Sequence, residues 1–297
     1  MKTRKILLLA AVAILGCAYA LELVFTNANP VKTFTLTEKP DSLLIEKGDG
    51  TKLLISKDGD RWLVGDKKYS GDTQAIETLV KSISAVKILD SVSSGADVER
   101  FGLGDGEKLA VSAKSGNKEL RRLAIGKASP TSQQSYIHVD GGKEVLLVSG
   151  NLKRDFGKAP DEFRDKAIFS FKNDEIAAIS VSGKENYTLS KGGKPEAWSV
   201  SSLEKGLKAD KERLDAWLSS IATLRAESYA PDDALPTEKP LGVAVFKLAS
   251  REATVRIYRK EGESKYLCSS TESPYPFYLS VYTAERYLKP LSELTTK

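Results

Sequence analysis

The sequence holds one histidine, His138, and two cysteines, Cys17 and Cys268, in 297 residues. A single imidazole excludes a His-rich metal site, and any Ser-His or Cys-His catalytic pair would have to use His138. Two cysteines cannot build a disulfide framework, and Cys17 lies in an N-terminal apolar run, far along the chain from Cys268. Eleven prolines and 22 glycines fall short of a low-complexity or collagen-like chain, and no run of like charge is long enough to be a disordered tail. What is present, 41% hydrophobic and 29% charged residues, is enough to bury one or two cores. The formal net charge is +5, and Lys2, Arg4 and Lys5 supply three of those charges before any acidic residue appears. The remaining Lys and Arg are interleaved with Asp and Glu. There is no concentrated basic face to displace counterions, so nucleic acid is not an expected partner.

Met1 to Lys5 is basic and Ile6 to Leu21 is apolar, the layout of an export signal or anchor over residues 1–25. Three readings remain open. Ile14-Leu15-Gly16-Cys17 loosely fits a lipoprotein processing site, which makes Cys17 a candidate lipidation residue. Ala18-Tyr19-Ala20 fits small-x-small cleavage and release of a soluble protein. The run extended through Leu23, Val24 and Phe25 is about long enough to span a bilayer, with Glu22 near its outer end. The basic residues stay inside, which places the body outside the cytoplasm.

Residues 26–40, polar with two prolines, read as a tether, and folding is expected from Asp41. Leu43–Glu46, Lys52–Ser56 and Arg61–Val64, separated by Gly and Asp turns, read as an antiparallel meander. Ile76, Leu79, Val80, Ile83 and Val86 recur at helical spacing behind the N-cap Asp72. Strand-like segments follow at Leu109–Ala113, Leu120–Ile125, Tyr136–Val139 and Val145–Ser149. The layout then recurs. Strands at Ile176–Ser182, Tyr187–Ser190 and Trp198–Val200 precede a helix capped by Asp210, with Leu214, Trp217, Leu218, Ile221 and Leu224 as its stripe. Cap and stripe each lie 138 positions after their counterparts. Val243–Leu248, Thr254–Tyr258, Tyr266–Cys268 and Phe277–Val281 complete the second set. The expected fold is α+β: two tandem copies of a mainly antiparallel module with one main helix each, over 41–172 and 173–297.

Several strings taken together resemble the bacterial "domain of unknown function 4340" family over roughly Asp41 to Tyr229. They are Phe101-Gly102-Leu103, Leu123-Ala124-Ile125-Gly126-Lys127, Tyr136 with the Val145 strand, Phe163-Arg164-Asp165-Lys166, and the unit from Trp198 to Leu224. The resemblance implies an N-terminal membrane anchor ahead of an extracytoplasmic repeat body. It also implies association with ABC-type export components, like those of gliding-motility transporters, and brings no established catalytic residues. This chain departs from the family pattern in its short apolar run, which carries Cys17.

Motifs with chemical associations are weak here. Phe101 to Gly106 lacks GxGxxG spacing and precedes a strand, so it reads as a turn. Ser115/Lys118 and Ser202/Lys205 match a bare Ser-x-x-Lys spacing without the elements that accompany it in penicillin-recognising enzymes. Asp58/Asp60 and Asp232/Asp233 read as solvated turns, lacking the further oxygen ligands of a calcium loop. Arg164-Asp165-Lys166 reads as an intramodule salt-bridge and capping cluster, and Trp62, Trp198 and Trp217 as core anchors. The one candidate interaction patch is C-terminal: Tyr275 and Phe277 on one face of a strand, Tyr278 and Tyr282 on the other, with Tyr287 beyond.

No catalytic residue, metal site or cofactor is therefore expected. The expected role is a non-enzymatic, membrane-anchored accessory protein with ABC-type permease and ATPase partners. The alternative is a periplasmic or surface lipoprotein that binds a glycan or peptide.

Overall fold

The computed structural model describes residues 12–21, 32–95, 97–192, 197–234, 239–261 and 264–296. Residues 12–21 form a helix, α1, with every side chain exposed. The basic N-terminus, the rest of the apolar run and residues 22–31 lie outside the described residues. The body divides into two compact units, one ending at Phe163 and the other running from Arg164.

The first unit contains β1 (Thr33–Thr35), β2 (Ser42–Glu46), β3 (Lys52–Asp58), β4 (Arg61–Val64), β5 (Tyr69–Ser70), α2 (Thr73–Ser84) and β6 (Ala85–Ser93). It continues with β7 (Leu109–Ser115), β8 (Lys118–Ala128), β9 (Gln134–Val139), β10 (Val145–Ser149) and α3 (Leu152–Phe156). Its ten strands form one antiparallel sheet in the order β1-β6-β10-β9-β8-β7-β2-β3-β4-β5. The β3–β4 hairpin closes through Gly59 at φ 59°, a left-handed backbone that only glycine adopts without strain. The Asp72 carboxylate accepts from the Ala75 N–H at 3.0 Å and caps α2. Ile76, Leu79, Val80 and Ile83 pack against Leu43, Ile45, Val111 and Leu123 of the sheet, all nearly inaccessible. Each such side chain stabilises the fold by ~1.5–3 kcal/mol.

The second unit contains β11 (Ala167–Ser170), β12 (Ile176–Ser182), β13 (Tyr187–Gly192), β14 (Ala197–Ser202), β15 (Lys208–Ala209), α4 (Lys211–Ile221), β16 (Thr223–Arg225) and β17 (Ser228–Tyr229). After them come β18 (Gly242–Leu248), β19 (Glu252–Glu261), β20 (Lys265–Ser270), β21 (Ser273–Ser280), α5 (Val281–Tyr287) and β22 (Thr295–Thr296). Its main sheet runs β14-β13-β12-β18-β19-β20-β21-β17. Read from β4, the first sheet runs β4-β3-β2-β7-β8-β9-β10-β6, the same connectivity. The short pairings agree as well. β1 pairs with Ala85 to Lys87 just after α2, and β11 pairs with Thr223 to Arg225 just after α4, again 138 positions on.

Four sequence expectations are corrected. Folding begins at β1, inside the expected 26–40 tether, because β6 supplies a pairing partner that only the folded chain brings near. The units separate after Phe163 and not at 172/173, because β11 pairs with β16 of the second unit. Val86 and Leu224 lie on the strands that follow the helices. α2 ends at Ser84 and α4 at Ile221, and the strands carry the same buried faces onward. Trp198 is only half-buried, whereas Trp62 is 1% exposed.

Candidate functional site

The family-like strings of the first unit meet in one place. The Phe101 ring lies 4.9 Å from that of Tyr136. Gly102, at φ 68°, ends a 3-10 turn (Val98–Phe101) and lies against Lys127 of β8. A Cβ on Gly126 would sit 3.0 Å from Leu103 Cγ and 3.2 Å from the Phe101 carbonyl carbon, closer still to its oxygen. The Phe-Gly-Leu turn and the Ile-Gly-Lys strand are thus two halves of one backbone contact, which explains their glycines without any bound anion.

The remaining candidates are mostly structural. His138, on β9, is half-buried, and burial followed by the charge of Lys108 pushes its imidazole below the ordinary range. Ser115 and Lys118 face each other across the β7–β8 hairpin, and the Lys118 ammonium pairs with Glu38 at 3.0 Å. Ser202 Oγ donates to the Glu204 carbonyl at 2.8 Å. Asp58 and Asp60 flank the Gly59 turn, and Asp232 and Asp233 lie in an exposed turn. Arg164 is 6% exposed, with its guanidinium 3.6 Å from the Tyr229 ring centroid and 4.9 Å from that of Tyr275. The Tyr229 hydroxyl donates to the Asp165 carbonyl at 2.8 Å, and Lys166 Nζ to the Glu227 carbonyl at 2.9 Å. The Arg-Asp-Lys string works through aromatic stacking, backbone carbonyls and the Asp165 carboxylate, which accepts from the Ala167 N–H at 2.9 Å.

The C-terminal aromatics do not form one patch. Tyr275 joins the Arg164 stack, and Phe277 is fully buried in the core. Tyr278 faces the Lys265 ammonium at 4.0 Å. Tyr282 is on α5, not on the strand, and is 75% exposed with Arg286 over its ring. Tyr287, on the same helix, is inaccessible, and its hydroxyl donates to the Ile221 carbonyl at 3.2 Å. Strand alternation ends at Ser280, which caps α5 through the Thr283 N–H. Cys17, on α1, is exposed.

A concave site that the sequence did not reveal lies within the second unit, around the turn between β12 and β13. One groove of about 420 Å³ is lined by Val181, Leu241, Ile257, Tyr266 and Leu288. A second, of about 380 Å³, is lined by Leu203, Leu207 and Leu291, and the two share Lys184, Glu185 and Tyr187. The ridge between them is fixed. Glu185 accepts from the Leu291 N–H at 2.8 Å, and the Tyr187 hydroxyl donates to the Lys289 carbonyl at 2.5 Å. Gly242 lies directly beneath Leu288, where any Cβ would strike its methyl groups. The grooves draw on six chain segments between Val181 and Thr296, so no local sequence signal marks them.

The arrangement suits apolar groups with a polar rim. Burial raises the Tyr187 and Tyr287 phenols and the Cys268 thiol, keeping all three protonated and weakly nucleophilic. Among the described residues no three His, Cys, Asp or Glu side chains are grouped to hold a metal ion. No helix among them is long and apolar enough to cross a membrane. No curated protein and no solved structure matches this chain. One family does: its model, described as a domain of unknown function (DUF4340), matches residues 62–241, well over half of the chain, so the chain belongs to that family.

Proposed function

We propose that this protein is a non-enzymatic, membrane-attached extracytoplasmic subunit, built from two copies of one α+β module. In this reading it serves as an accessory to an ABC-type export or gliding-related complex. The observation that carries membrane attachment is α1. Its ten residues include Ile14 at 70%, Leu15 at 69% and Leu21 at 57% exposure, an apolar helix that the body does not cover. Such a helix is stable in an apolar medium and costly in water. At 1.5 Å per residue those ten residues reach ~15 Å, about half of a bilayer core, and the sequence continues apolar before them. The shared strand order and the 138-residue offset of caps, stripes and short pairings support the two-copy reading.

The test is purification of the tagged full-length protein from its native membranes in mild detergent, with mass spectrometry of what stays bound. Stoichiometric recovery of an ATPase and a permease is expected. Recovery of the protein alone, across several detergents and after crosslinking, overturns the accessory role. Palmitate labelling that disappears in Cys17→Ala identifies a lipoprotein, and retention of the intact N-terminus identifies a spanning anchor.

The paired grooves favour a second reading, a lipoprotein that binds a peptide or glycan through the second unit. A ligand-induced change in intrinsic tyrosine fluorescence, from Tyr187 and Tyr266 in the groove, would report it.

A further inference from the structure

The larger groove of the second unit has spent its hydrogen bonds inside the fold. The Tyr187 hydroxyl donates to the Lys289 carbonyl, and the Glu185 carboxylate accepts from the Leu291 N–H. The Leu241 N–H donates to the Ile257 carbonyl at 2.7 Å, and the Leu288 N–H to the Glu285 carbonyl at 3.0 Å. Val181 is paired with Tyr187 and Ala244, and Tyr266 with Lys260 and Leu279, so no strand edge opens into the groove. An extended peptide draws its affinity from main-chain hydrogen bonds to such an edge. One turn of a helix, ~10 Å across and ~5.4 Å long, would by itself fill the groove's volume of about 420 Å³. Beyond its charged rim the groove leaves a glycan only the Ser182 and Tyr266 hydroxyls. What it does present is hydrocarbon. Leu241 is 56% exposed, Leu288 and Tyr266 are half-buried, and Ile257 and Ala284 lie nearly inaccessible beside them.

The rim decides what such a hydrocarbon carries. Lys184 and Lys289 stand against Glu185 and Glu285, so the rim has no net charge. Lys289 pairs with Glu293 at 2.5 Å, and Glu185 is held by the Leu291 N–H. The side chains of Lys184 and Glu285 make no hydrogen bond or ion pair among the described residues. One uncommitted ammonium and one uncommitted carboxylate match a head group that bears both a phosphate and an ammonium. A purely anionic head would gain Lys184 and meet Glu285 as a like charge.

We propose that this groove holds the acyl chain of a single-chain zwitterionic phospholipid, with its phosphate at Lys184 and its ammonium at Glu285. The volume is at the small end for ligand sites, which suits one chain and not two. The proposal rests on the second reading in one respect, that the groove binds a ligand, and it names a lipid in place of the peptide or glycan.

The test uses the full-length protein held in an amphipathic polymer, so that no free detergent chain competes. The probe is myristoyl lysophosphatidylcholine with a photoreactive diazirine on its chain, and mass spectrometry locates the label. Label is expected around Leu241 and Leu288. Unlabelled lysophosphatidylcholine should displace it about threefold better than lysophosphatidylglycerol of the same chain. Leu241→Asn, at an exposed position, should cut the label about tenfold and keep the parent's melting curve. Glu285→Gln should keep the label and bring the two competitors level. Label confined to residues 1–25 overturns the proposal. So does groove label that Leu241→Asn leaves unchanged, or competitors that are already level on the parent. A tyrosine-fluorescence response to a peptide or glycan, with none to the lysolipid, overturns it too and leaves the second reading standing.

Discussion

Gly126→Ala isolates the contact between the Phe-Gly-Leu turn and β8. The new methyl group would lie 3.0 Å from Leu103 Cγ and 3.2 Å from the Phe101 carbonyl carbon, and nearer to the carbonyl oxygen. The obstacle is backbone, held by the left-handed Gly102 and by the Leu103 N–H on the Val98 carbonyl at 3.0 Å, so it cannot swing aside as a side chain would. Overpacking of this kind costs ~1–3 kcal/mol, and a backbone obstacle places this site at the upper end, about 3 kcal/mol. For a unit of this size each kcal/mol shifts the midpoint by ~2–4 °C, so the first-unit transition should fall by about 6–12 °C in scanning calorimetry. Gly106→Ala is the control from the same turn. Nothing lies within 4 Å of its Cβ position and its φ is not left-handed, so its midpoint should hold or rise slightly. Equal midpoints for Gly126→Ala and the parent would refute the packing account and reopen a ligand role for these glycines.

Other expectations follow from the same geometry. Asp72→Ala and Asp210→Ala each remove a carboxylate that caps a helix, at 3.0 and 3.1 Å from its N–H partner, and each should cost ~1 kcal/mol in urea titration. Arg164→Lys keeps the charge but loses the flat guanidinium between Tyr229 and Tyr275, and should lower the second-unit transition by ~2 kcal/mol of stability. The hydrogen bond from Lys39, then that from the Trp62 indole, holds the Glu77 carboxyl below its ordinary 4.5, so its contribution is complete above that value and fades as pH falls through the lower folded one. Glu77→Gln should flatten that acid limb of the melting-point profile. Burial lowers the His138 imidazole below 6.5, so below that pH the unfolded chain takes up a proton that the folded one refuses, and stability drops. His138→Gln should remove that slope, as read from melting midpoints between about pH 5 and 7.

Much of the fold was legible because it is written in local periodicity. Short apolar runs between Gly and Asp turns marked β2, β3 and β4, and helical spacing behind Asp72 and Asp210 marked α2 and α4. What local pattern misled was the end of an element. Val86 and Leu224 continue a buried stripe in phase with the helix, yet belong to strands, since a buried face can pass from helix to strand without a gap. The C-terminal aromatics failed similarly, because Ser280 turns strand into helix and moves Tyr282 to a different surface from Tyr278.

By itself the sequence determined the class of elements, their caps, the 138-residue recurrence and the apolar N-terminal run, because each depends on residues within a few positions of one another or on direct comparison along the chain. Only the tertiary structure decided the rest. It set the sheet order, the place of β1 and β11 against the strands after each helix, the grooves around Glu185 and Tyr187, and the pairing of β15 with β22. Those features rest on contacts between distant segments, whose choice depends on which partner covers each edge and face in the folded chain.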